Sequence, residues 1–205
     1  VISSNLIGDT ILSTGVIRYF SKINPDAKFT FVIGPSAMPI FKNFKSVEKI
    51  ITISKKKYNM HWLEIISNCF GKKWDIIIDF RSSLVSYFLG HNKKYIFKKK
   101  SDLNHVKQLS EFFGFDCSEL FIDTSKEEEE TVSKNITDNF KHFVIFPGGN
   151  WKPKIWNVEN YNALMKKILA QNKDIKFIIV GSKDEEKIYN YEITKNIDRK
   201  NIINL

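Results

Sequence analysis

Short apolar runs, each followed by a stretch with helical spacing, constrain this chain more than any other feature. Residues 29–33, 49–53 and 74–80 read F-T-F-V-I, K-I-I-T-I and W-D-I-I-I-D-F, and residues 142–146 and 175–180 repeat the pattern. A half-exposed strand alternates apolar and polar residues, whereas these runs are nearly continuous, as strands buried on both faces are. Between them lie segments with apolar residues at helical spacing, such as Ile11, Leu12, Val16, Tyr19 and Phe20, or Trp62, Leu63, Ile66 and Phe70. Strand and helix in alternation predict an α/β fold with a parallel sheet covered on both faces. Residues 82–89 and 106–113 read as further helices, and residues 95–97 as a short strand.

The pattern breaks at residues 124–137, T-S-K-E-E-E-E-T-V-S-K-N-I-T, and then restarts. This predicts a first domain over 1–123, a connection over 124–140 whose glutamates could equally begin a solvated helix, and an unfinished second domain over 141–205. The first residue is Val1, inside a strand reading, and residues 202–205 read as another strand, the ends expected of a fragment.

Charge narrows the function less. Lysine and arginine outnumber acids 32 to 23, for a net +9. That suits a phosphorylated small molecule, an anionic membrane face or a nucleic acid, but the basic residues are scattered and no nucleic-acid motif accompanies them. Cys69 and Cys117 are far apart and complete no zinc spacing, which fits a reducing, cytoplasmic setting. No apolar segment reaches the roughly 18 residues of a membrane span. The four histidines form no catalytic or metal grouping, and no D-x-D pair occurs, so no catalytic metal is expected.

Three loops after apolar runs carry candidate chemistry. In the first, S-N-L-I-G-D, Asp9 follows Gly8 at the carboxyl edge where open α/β sheets hold ligands. It is either a positioned general base or the cap of a helix from Thr10 onward. In the second, F-P-G-G-N-W-K-P-K-I-W, Gly148 and Gly149 free the backbone to turn its N–H groups toward a phosphate. Lys152 and Lys154 add compact positive charge there, and Asn157 stands at a helix N-cap. An ordinary strand-to-helix turn with solvated lysines fits the same residues. The third loop, G-S-K-D-E-E, offers acids including Glu185, either for ribose hydroxyls or as plain helix-start acids.

Taken in order, I-S-S-N-L-I-G-D-T-I-L-S-T-G, N-P-D-A-K-F-T-F-V-I, D-I-I-I-D-F, F-P-G-G-N-W-K-P-K-I-W-N-V-E-N-Y and F-I-I-V-G-S-K-D-E-E resemble a known family along the whole chain. They resemble the ADP-heptose:lipopolysaccharide heptosyltransferases of glycosyltransferase family nine. The resemblance implies a GT-B architecture of two Rossmann-like domains with parallel sheets, acceptor mainly on the first and nucleotide-sugar on the second. It implies an inverting, metal-independent transfer, with no cofactor beyond the donor, in bacterial lipopolysaccharide synthesis at the cytoplasmic face of the inner membrane. Asp9 matches the family's general base and Lys154 the lysine that neutralises the leaving diphosphate. Gly148, Gly149 and Asn150 match the phosphate loop, and Glu185 most nearly a ribose-binding acid. Asn157 departs from a common proline, and the family's later D-x-G-x-x-H segment has no counterpart before Leu205. The alternative is an α/β module that binds a nucleotide or phosphosugar without catalysis.

Overall fold

The structure is a computed structural model that describes residues 1–54, 61–100, 104–136, 139–149, 152–181 and 192–204. It divides into a unit over Val1–Ser125 and a unit over Lys126–Leu205.

In the first unit, strands β1 (Phe29–Ile33) and β2 (Val47–Thr52) pair in parallel, as do β3 (Trp74–Asp79) and β4 (His91–Ile96). The two pairs are joined by residues 1–3. Ile2 bridges to Val32 on one side and to Asp79 on the other, and its amide donates to the Ile78 carbonyl at 2.8 Å. Counting this opening segment as the first strand, the sheet runs third, second, first, fourth, fifth, the doubly wound order. The chain direction across the sheet reverses between residues 1–3 and β3, and open α/β sheets bind ligands at the carboxyl end of that reversal.

Side chains alternate faces along each strand. Phe29, Phe31, Ile33 and Ile78 point to a layer made by α2 (Thr14–Ile23), α3 (Met38–Phe41) and α5 (His105–Phe113). Ile2, Val32, Ile51 and Ile77 point to the other face, under α4 (His61–Cys69) and the buried Val85 and Leu89. The first layer is rich in aromatic rings: Phe31 stacks on Phe41 at 3.9 Å between centroids, and Phe20 meets Phe113 and Phe115 edge-on.

Several local expectations change. The helix expected after the first loop is two pieces, α1 (Ile7–Leu12) and α2, parted at Ser13. Ser13 Oγ donates to the Thr10 carbonyl and Thr14 Oγ1 to that of Ile11, so hydroxyls occupy carbonyls that a continuous helix would use. Residues 82–89 are not an α-helix but a tight 3-10 turn at Leu84–Tyr87. Asp79 binds the amides of Arg81 and Ser83 there, and Ser82 takes a left-handed φ of 51°, which holds the backbone out of helical register. The strand expected at 95–97 starts at His91, its polar first half hidden by its place at the sheet edge.

In the second unit, the glutamate run forms helix α6 (Lys126–Asn135). Strands β5 (Lys141–Ile145), β6 (Ile175–Ile179) and β7 (Ile202–Asn204) form a parallel sheet in that order. Helix α7 (Val158–Gln171) packs Met165, Ile168 and Leu169 with Phe177 and Ile179. The expected cover on both faces fails at β5, an edge strand in the described sheet, where Phe143 and Val144 are exposed. The expected helix over 184–193 falls almost wholly outside the described residues.

Candidate active site

The loop that leaves residues 1–3 is fixed from three sides. Leu6 N donates to Ser4 Oγ at 3.1 Å, and Ser36 Oγ donates to the Asn5 carbonyl at 2.8 Å. Gly34, at the end of β1, packs so closely that a Cβ would stand 2.7 Å from Asn5 Cα, so glycine is required there. From the other side of the reversal, Arg81 Nη1 donates to Asn5 Oδ1 at 3.3 Å.

Asp9 emerges from this loop as the third residue of α1, not as the cap before Thr10, because the helix begins at Ile7. Its Oδ1 accepts from Lys99 Nζ at 3.2 Å and its Oδ2 from Ser4 Oγ at 3.5 Å. Ninety residues of sequence separate Asp9 from Lys99, which follows β4 on the carboxyl edge. His105 opens α5 beside them, its ring edge-on to Phe97 at 5.6 Å. Burial, then the Lys99 charge, push the His105 imidazole below its usual pKa, with Asp9 acting the other way. The imidazole is thereby held toward its neutral form. The Asp9–Lys99 pair thus stands at the sheet's reversal, with Asn5 and Arg81 paired on the same loop and the His105 imidazole near enough to respond to the Lys99 and Asp9 charges.

Sequence reading singled out Asp9 alone from this group. Lys99 belongs to the scattered basic residues, His105 completes no catalytic or metal grouping, and Arg81 carries no signal in the sequence. Asp79 lay in the D-I-I-I-D-F run but not as a site residue. It is fully buried, and it shapes the 80–83 loop that presents Arg81. Burial pushes its carboxyl above the usual range, opposed by the Arg81 and Ser83 amides and the Ser86 hydroxyl.

Two consequences follow for Asp79→Asn. An amide nitrogen would face one of the two backbone N–H donors, so stability is expected to fall by about 1–3 kcal/mol. The pH dependence also changes. A raised folded-state pKa gives stability that is fully present below about pH 4, the ordinary unfolded value, and is lost as pH rises through the folded value. Urea titrations at a series of pH values should show that decline in the parent and not in the variant; equal slopes would mean that Asp79 does not titrate with folding.

In the second unit, Pro147 is buried, Gly148 half-buried and Gly149 exposed after β5. Gly149 takes no left-handed φ, and among the described residues a Cβ there would meet only Ile155 Cγ1 at 3.9 Å. Among the described residues nothing requires glycine at this position. Lys154 is exposed and ends the turn Lys152–Lys154. Trp156 packs edge-on against Tyr161 at 4.9 Å, and Asn157 Oδ1 accepts from Glu159 N at 2.9 Å, which makes Asn157 the N-cap of α7 as its sequence position suggests. Asn150 and Glu185 lie outside the described residues. The candidate residues thus fall in two groups, Asp9 on the first unit and Gly148, Gly149 and Lys154 on the second.

A groove of about 520 Å³ in the first unit, lined by Asn24, Lys28, Phe29 and Trp74, lies at the amino-terminal edge of the sheet. None of the candidate residues Asp9, Gly148, Gly149 and Lys154 lines it. Among the described residues, no group of three His, Cys, Asp or Glu stands close enough to hold a metal ion, and no helix is long and apolar enough to cross a membrane.

Solved structures share this fold. The E. coli heptosyltransferase WaaC with ADP matches with a TM-score of 0.72 over 100% of this chain and 73% of its own, at 14% identity. The chain has the GT-B fold of glycosyltransferase family 9. A glycosyl transferase family 9 structure from Veillonella parvula matches at 0.68 over 96% of this chain and 66% of its own, at 17% identity. E. coli WaaC with ADP-2-deoxy-2-fluoro heptose matches at 0.68 over 100% and 74%, at 15% identity. No protein-family model and no curated protein sequence matches. On this family 9 fold, Asp9 stands at the carboxyl edge of the first sheet and Lys154 beyond the first strand of the second.

Proposed function

We propose that this chain is part of a glycosyltransferase that moves a sugar, heptose from ADP-heptose, to a lipopolysaccharide-core or related glycan acceptor. The observation that carries this is Asp9, a carboxylate held by Lys99 and Ser4 at the reversal point of a family 9 fold. In the proposed reaction Asp9 takes the proton of the acceptor hydroxyl while that oxygen attacks the anomeric carbon. The bond from that carbon to the diphosphate breaks, and its configuration inverts. The diphosphate leaves with the bonding electrons and one further negative charge. Lys154 and the backbone at Gly148, Gly149 and Asn150 meet that charge, and stabilisation of this kind acts most strongly in the transition state. Glu185 takes the ribose hydroxyls, and no metal or other cofactor enters the scheme. The acceptor is a glycan or lipid-linked glycan, and the protein works in the cytoplasm in peripheral contact with the inner membrane.

The test offers the protein ADP-, UDP- and GDP-sugars with a deacylated core acceptor and measures nucleotide release and product mass. ADP-heptose is expected to turn over with inversion. Turnover of another nucleotide sugar alone would overturn the donor assignment, and donor binding with no turnover of any would replace transfer with the simple binding module.

A further inference from the structure

The face of the first sheet under α4 has an apolar outer surface as well as an apolar core. In the 3-10 turn Leu84–Tyr87 and the two residues after it, Val85, Ser86 and Leu89 are buried, while Leu84, Tyr87 and Phe88 are each at least 60% exposed. Side chains three apart eclipse in such a turn, so Leu84 and Tyr87 stand together. Helix α4 packs against this turn and carries Leu63, and Phe70 follows its last residue, both more than half exposed. Seven residues apart, these two share one helical stripe, opposite the buried Ile65 and Cys69. The other layer also exposes apolar residues, but Ile23, Met38 and Phe112 lie on three different helices and Leu120 and Ile122 on the segment after α5.

Positive charge frames the patch. Lys94 Nζ lies 4.0 Å from the centre of the Tyr87 ring, and Lys72 and Lys73 follow Phe70 after Gly71. The neighbouring acids are engaged: Glu48 pairs with Lys72 at 3.5 Å, and Asp75 accepts from Asn92. Residues 61–100 carry eight lysines and arginines against three acids, one of which is the buried Asp79. A protein partner that covered Leu84, Tyr87 and Phe88 would have to match lysines at the rim with acids. An anionic bilayer meets both halves at once, since leucine and aromatic rings enter the headgroup region while lysines reach lipid phosphates.

We propose that the outer face formed by α4 and residues 84–88 is a docking surface for an anionic lipid bilayer. Leu84, Tyr87 and Phe88 insert at headgroup depth, and Lys72, Lys73 and Lys94 meet lipid phosphate. The turn begins three residues after Arg81, whose guanidinium donates to the Asn5 side chain in the loop that carries Asp9. Docking here deepens the reading of a lipid-linked acceptor, yet its test needs no turnover.

The experiment is flotation with vesicles of phosphatidylethanolamine and phosphatidylglycerol, and in parallel of phosphatidylcholine alone. The chain is expected to float with the anionic vesicles and poorly with the neutral ones. L84S/Y87S/F88S should reduce the bound fraction at least tenfold with an unchanged circular dichroism spectrum, and Lys94→Glu should weaken binding to anionic vesicles alone. Equal binding by parent and triple variant, or no binding by the parent, would overturn the proposal. A parent dimer that the triple variant converts to monomer would assign the patch to a second copy of the chain instead. Vesicle binding without sugar transfer would keep the docking surface and remove the transferase reading.

Discussion

Asp9→Ala is expected to lower the turnover number for sugar transfer by about 10²- to 10⁴-fold, the range that removal of a positioned general base gives. The donor KM should move little, because no donor contact is assigned to Asp9. The expectation follows from where the chain places the group. A parallel sheet in the order seen here leaves a crevice at the carboxyl end of residues 1–3 and β3, and Asp9 stands at that edge with about a third of its side chain exposed. Its partners, Lys99 at 3.2 Å and Ser4 at 3.5 Å, fix the carboxylate without enclosing it.

The same exposure makes the variant interpretable. An ion pair this open to water contributes about 0–1 kcal/mol, so the folded state should survive the substitution with an unchanged spectrum and nearly the same urea midpoint. Asp9→Asn keeps the volume and the hydrogen bond to Ser4 but cannot take a proton, and it should be nearly as slow as the alanine variant. Transfer at the parental rate by either variant would remove Asp9 from the reaction. A loss of rate with a collapsed spectrum would instead make it a structural residue.

What the sequence made legible, and what it hid, divides along physical lines. Strands β1 and β3 were readable because burial on both faces leaves little room for polar residues. The N-cap Asn157 was readable because capping is local. Strand β4 was half hidden, since an edge strand tolerates His91, Asn92 and Lys93. The 84–88 turn was read as a helix because its apolar content resembles one; a side chain five residues upstream, Asp79, decides its backbone through the amides of Arg81 and Ser83. The site was legible only in its anchor. Lys99 and Arg81 reach the Asp9 loop through strand order, and no spacing along the chain encodes contacts across 90 or 76 residues.

Gly15→Ala carries the same lesson into stability, with an effect opposite to the one helix propensity gives. Gly15 sits in the second position of α2, where alanine should gain about 1 kcal/mol over glycine. The packed chain forbids it: a Cβ at Gly15 would lie 1.9 Å from the Cys117 carbonyl oxygen and 2.6 Å from its carbon, both backbone atoms. That backbone cannot step aside freely. Phe121 N donates to Thr14 Oγ1 at 3.0 Å, the Arg18 guanidinium lies 4.1 Å over the Phe121 ring, and Cys117 is fully buried. A methyl group must therefore separate α2 from residues 115–121 or bend the helix, at a cost of about 3 kcal/mol, the upper end for overpacking. For a unit of this size the midpoint of thermal unfolding should drop by roughly 10 °C. Gly8→Ala is the control, because a Cβ there meets nothing within 4 Å, and it should raise stability by about 0.5–1 kcal/mol. If Gly15→Ala melts with the parent, the close contact between α2 and Cys117 does not exist. If both glycines respond alike, helix propensity rather than packing governs this edge of the first unit.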